Sequence, residues 1–90
     1  MSFKVFEKVL DSDLCRIKTN LPSSFSSANF IQVVRHLFPN EYGEMLSESN
    51  YRALHTWIAR WYLNRHFSQK GEAQIISAMG HKGSNKLWKK

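Results

Sequence analysis

Apolar residues in the first seventeen positions, Phe3, Phe6, Val9, Leu10, Leu14 and Ile17, recur at steps of three and four. That spacing follows the helical turn and predicts a helix with one buried face. The triplet Asp11-Ser12-Asp13 is placed to break it in two, and the alternation Phe3-Lys4-Val5 leaves a short opening strand as the alternative. Thr19 to Ser27 is rich in Asn, Pro and Ser and reads as a connection, with Phe25 as an anchor between serines. A second helix follows Ser26 or Ser27, either of which can cap it by accepting a hydrogen bond from the free amides of the first turn. Its apolar face is Phe30, Val33, Val34, Leu37 and Phe38. Pro39 ends or kinks that helix, because proline disfavours helical backbone in the residue before it. It also suits the start of a further turn, with Glu41 and Glu44 near the amino end and Met45 and Leu46 packing inward.

The run from about residue 49 to 66 lacks glycine and proline and predicts a third helix capped by Ser47 or Ser49. Residues placed at about 100° intervals put Leu54, Ile58, Trp61, Tyr51 and Tyr62 on a core-facing arc, with Trp57 at its edge. Arg52, Thr56, Ala59, Arg60 and Leu63 fall opposite, flanked by His55, Asn64 and His66. After Lys70-Gly71 the period changes. Ala73 to Met79 is short, apolar and β-branched, Gly80 to Asn85 reads as a loop, and Lys86 to Lys89 can return as a strand, which together make a hairpin. The expected fold class is α+β, mainly α with a small C-terminal β-hairpin.

Ninety residues make one domain, residues 1–90, with one core. A single cysteine, Cys15, allows no internal disulfide and suits a reducing, intracellular compartment, cytoplasm and nucleoid or nucleus. No apolar run reaches membrane-spanning length, and no membrane partner is expected. The four histidines stand at no helical pair spacing and are joined by no cysteine or acid, so neither a metal nor a cofactor is expected. Glu41, Glu44 and Glu48 are read as favouring helix amino ends. No paired-carboxylate site is arguable, and the chain is expected not to be an enzyme.

Charge changes the picture once it is located. Residues 1–50 carry five basic and six acidic side chains, whereas residues 51–90 carry eight basic side chains against Glu72 alone. All of the net charge of +6 therefore arises in the second part. A basic field of this kind marks a polyanion binder, most commonly of nucleic acid. No carboxylate lies between Tyr51 and Gly71, where a helix that is merely soluble would carry some Glu to pair with its Arg.

Three helices, the last with a basic outer face, then the pattern Ile75-Ile76, Gly80-x-x-Gly83 and Leu87-Trp88-Lys89-Lys90, give an order that resembles the winged helix-turn-helix class of DNA-binding domains. The resemblance implies a three-helix core plus a wing, a recognition helix over about residues 49–66 and a basic wing over about 80–86. It makes double-stranded DNA the expected partner, for a small regulator or the reading module of a larger protein. The residues assigned to nucleic acid are Arg52, His55, Thr56 and Arg60 on the helix, and Lys82, Ser84, Asn85 and Lys86 on the wing. An arginine fork can bond guanine bidentately, and small neighbours such as Thr56 and Ala59 let the helix approach base edges. RNA binding and protein interaction are the alternatives, and a homodimer or a larger protein partner stays open.

Overall fold

The first apolar stripe forms a helix that breaks where the acidic triplet stands. The computed structural model describes the backbone of residues 1–76 and 82–90 and the side chains of residues 1–69 and 86–90. Helix α1 (Phe3–Ser12) is capped by Ser2, whose Oγ accepts the Val5 amide, and buries Phe6 and Leu10. No opening strand forms. Asp13 leaves helical backbone, and α2 (Leu14–Thr19) continues with Ile17 buried.

The connection after α2 holds an element that the pattern did not reveal. Ser24–Ser26 is a short strand, β1, with Phe25 buried in its middle. Helix α3 (Ser27–Leu37) follows at once, started by a reciprocal cap in which Ser26 Oγ accepts the Asn29 amide and Asn29 Oδ1 accepts the Ser26 amide. Phe30 and Val34 are buried along it, and Phe38 at its end.

Pro39 begins a ten-residue helix, α4 (Pro39–Glu48), where a single turn was expected; Tyr42 and Met45 are its buried residues. Glu41 stands in its first turn. Glu44 and Glu48 serve no helix start: both pair with the Met1 amino group, Glu44 at 3.2 Å.

The third predicted helix spans Tyr51 to His66, but Asn50 caps it, accepting the Ala53 amide at 2.8 Å. Ser47 and Ser49 instead donate to the carbonyls of Glu44 and Met45 and so close α4. Its winding changes along the way: α5 (Tyr51–Thr56), a π-helical segment (Trp57–Tyr62) and α6 (Leu63–His66), with helical torsions across both junctions, so that one rod results. A π turn is closed by an i→i+5 bond and holds more residues than an α turn, so the downstream residues rotate relative to constant α winding. Leu54, Ile58, Tyr62, Leu63 and then Phe67 are the buried series. This corrects the expected faces: Leu63 is core, whereas Trp61 is 41% and Tyr51 66% exposed.

Strands β2 (Ser68–Ile76) and β3 (Lys82–Lys89) pair antiparallel, and β1 joins the other edge of β3, giving a three-stranded sheet in the order β1, β3, β2. Strand structure starts at Ser68, before Gly71, and a register shift falls between Gln69 and Gly71. Ile76 lies opposite Lys82, so residues 82–85 are strand, not the predicted loop. The predicted strand residues 77–79 and the loop residues Gly80 and His81 lie outside the described residues. Trp88, between Phe25 and Gln69 in the ladders, is fully buried. Phe25, Phe30, Tyr62 and Phe67 form a chain of ring contacts at 5.1–6.1 Å that joins β1, α3 and the end of the long helix into one core. The chain is thus a mainly helical α+β fold with a small antiparallel sheet.

Candidate nucleic-acid interface

Arg52, Thr56, Arg60 and Asn64 recur every four residues on the long helix and all are exposed. In a uniform α-helix such a row drifts about 40° around the axis at each step. The π segment takes more residues per turn and so reduces the drift where it runs from Trp57 to Tyr62. The row therefore lies close to one line, opposite the buried series of Leu54, Ile58 and Tyr62. Among the described residues no carboxylate pairs with Arg52 or Arg60. Their guanidinium groups are thus available to a ligand. Arg52 and Arg60 stand roughly 10–12 Å apart along the axis, a length that a major groove accommodates.

His55, expected beside this row, sits elsewhere. It is half-buried, its Nε2 is hydrogen-bonded to the Tyr42 hydroxyl at 2.6 Å, and the Tyr51 ring lies 3.8 Å away between centroids. Burial, and secondly the positive charge of Arg35, push its pKa below the ordinary histidine value, which keeps the ring neutral at physiological pH. Burial also raises the pKa of Tyr42, with a smaller contribution from Tyr51. His55 faces a cleft of about 200 Å³ between α3 and the start of the long helix, with Gln32 and Arg35 on the α3 side.

Of the residues assigned to the wing, Lys82, Ser84 and Asn85 fall within β3 and not in the predicted loop, and Lys86 lies in the same strand, where a returning strand was expected. The side chains of the first three lie outside the described residues. Lys86 is half-buried and stands opposite Glu72 in the ladder, and its carbonyl accepts from the Ser27 hydroxyl. In chain order the rod is followed by Phe67, β2 and β3.

Two further groupings were not anticipated. On the α1 side of the long helix, Phe3 stacks on Trp57 at 5.1 Å, Trp57 on Trp61 at 5.4 Å, and Arg65 covers Trp61 at 5.0 Å. With Lys4 and Glu7 they line a groove of about 450 Å³. At the other end of α1, Asp11 accepts the Tyr62 hydroxyl at 2.9 Å and stands 3.3 Å from His66 Nε2. Burial first, then this bond, drives the Tyr62 pKa well above its ordinary value. Trp57, Trp61 and Arg65 stand four residues apart and so share a helix flank, but the contacts of Phe3 with Trp57 and of Asp11 with Tyr62 and His66 join residues about fifty positions apart and have no local sequence signal. Among the described residues no three His, Cys, Asp or Glu are grouped to hold a metal ion, and no helix is long and apolar enough to cross a membrane. Comparison with family models, curated proteins and solved structures finds no match to this chain.

Proposed function

We propose that this chain binds double-stranded DNA as a non-enzymatic, winged helix-turn-helix-like domain, with the long helix in the major groove and the β2–β3 hairpin alongside. The observation that carries this reading is the exposed, carboxylate-free row Arg52, Thr56, Arg60 and Asn64 on a helix anchored by its opposite face. Arginine offers a two-pronged donor to guanine, Asn64 the matching pair of donor and acceptor for adenine, and Thr56 a methyl or hydroxyl contact. The element order supports the reading: helices, then β1, then helices ending in the basic rod, then two strands that pair with each other, the second of them also with β1. Helix α4, a full helix inserted before the rod, departs from a simple three-helix count.

Binding of a duplex at increasing salt tests the proposal. About four to six phosphate contacts give a slope of log affinity against log salt of roughly −3.5 to −5.5. Duplex DNA, hairpin RNA and single strands are compared in one panel. No duplex binding at low salt would reject the DNA reading. The exposed Trp61 and its groove favour one second reading, a protein-interaction module, which a duplex-negative, partner-binding result would select.

A further inference from the structure

We propose that the cleft between α3 and the start of the long helix is a phosphate-binding subsite that seats one backbone phosphodiester of the bound duplex. The inference rests on the duplex reading above and adds Arg35, Gln32 and Tyr51 to the residues of that site. The cleft is lined by Gln32, Arg35, Tyr42, Tyr51 and His55 over Ile31, and its lining includes no carboxylate. Its polar groups can all donate: the Arg35 guanidinium, the Gln32 amide, the Tyr51 hydroxyl and an imidazole N–H. Tyr42 fixes the imidazole. When its hydroxyl donates to Nε2 at 2.6 Å, the neutral ring carries its proton on Nδ1, as a donor. The Arg35 guanidinium lies 5.9 Å from the centre of the Tyr42 ring, and both residues line the cleft. Its charge is felt at His55, where it adds to burial in disfavouring the protonated ring. A donor-rich cavity with an uncancelled cation is complementary to a phosphate oxygen pair.

Position on the helix gives the same answer. Tyr51 and His55 stand next to Arg52 and Thr56 in sequence and so lie about 100° around the axis from that row. When the row faces base edges from within the major groove, the phosphate backbone runs along the flanks of the helix. The cleft opens on such a flank. Phosphate contacts there would hold the register of the helix, leaving base reading to Arg52 and Arg60.

The test measures duplex affinity by fluorescence anisotropy over a salt series for the parent, Arg35→Gln, Tyr51→Phe and Arg52→Ala, with a melting curve confirming that each variant folds. Arg35→Gln is expected to weaken preferred and scrambled duplexes alike by about tenfold, as for loss of a charged hydrogen bond, and to reduce the salt slope by about one. Tyr51→Phe, which removes one hydroxyl from an exposed ring, is expected to weaken both duplexes by about two- to tenfold. In a parallel titration with inorganic phosphate, the His55 ring signals should move in the parent and stay still in Arg35→Gln. Affinity and slope unchanged in Arg35→Gln, while Arg52→Ala weakens the preferred site, would overturn the subsite and leave the duplex reading standing. So would His55 signals that respond equally to chloride at matched ionic strength. A parent that binds no duplex removes both.

Discussion

Trp88 is fully buried, and its indole N–H donates to the Ser27 hydroxyl 2.9 Å away, itself buried and donating to the Lys86 carbonyl. Ser27→Ala leaves that N–H unpaired in the core and is expected to cost about 1–3 kcal/mol in urea unfolding; a cost near zero would mean the bond contributes nothing. Two positions apart, Leu63 and Trp61 make an opposed pair. Leu63→Ala should cost about 2–5 kcal/mol, whereas Trp61→Ala, at an exposed surface, should fall well below the roughly 3–5 kcal/mol of a buried aromatic. Equal losses would contradict the π-helical register. His55 gives a pH dependence with a definite sign. Its pKa is lowered in the folded protein, so the unfolded chain takes up the proton first as pH falls below about 6.5. The stability it contributes is complete above that pH and is lost as pH falls toward the folded pKa. Unfolding free energies at pH 7.5 and 5.5 should therefore differ less in His55→Gln than in the parent.

At the scale of elements, the long helix both builds the core and presents the candidate site. Its first turn is held by Asn50, so Asn50→Ala is expected to cost about 0.5–2 kcal/mol. Ser47→Ala, which removes only a bond from the side chain to the end of α4, should cost less. The reverse order of these two in thermal melts would return the cap to the position that the sequence suggested. The hairpin gains its third strand from β1, where Phe25 faces Trp88 across the ladder. This makes β3 a central strand rather than an edge, which removes one exposed template for unwanted pairing. It also ties the basic second part of the chain to the segment between α2 and α3.

For the whole molecule, the uneven charge becomes a division of labour. Arg52→Ala or Arg60→Ala is expected to cost about 1–3 kcal/mol on a selected duplex and less on a scrambled one, because a base contact is lost. Lys86→Ala is expected to weaken every duplex alike and to lower the salt slope by about one if Lys86 meets a phosphate. Anisotropy on the two duplexes separates these outcomes. Four variants that bind like the parent would reduce the basic row to a solvated face: the two arginines, Lys86 and Arg35.

The sequence by itself determined the elements whose information is local. The break at Asp11-Ser12-Asp13, the start of α3 at the Ser26-Ser27 pair, the rod ending at His66 and the strand period after Gly71 follow from spacing, capping chemistry and the placing of glycine and proline; that Ser26 is the cap and that strand structure begins already at Ser68 was not legible there. Arg52, Thr56 and Arg60 were legible as one outward row for the same reason. What tertiary structure decided involves partners distant along the chain. Ser24–Ser26 is too short to show a period and becomes a strand only because β3 pairs with it. Trp61 and Leu63 changed faces because a π-helical segment altered the turn, while a projection at constant angle assumes one winding throughout. Lys82, Ser84 and Asn85 became strand because the ladder with β2 runs past Gly83 to the Ile76–Lys82 pair. His55, expected to flank the outer row, is drawn inward because Tyr42, thirteen residues earlier, holds its ring. Periodicity reports which face of an element is apolar; which neighbour covers it, and which polar side chain is drawn inward, is set by packing between elements.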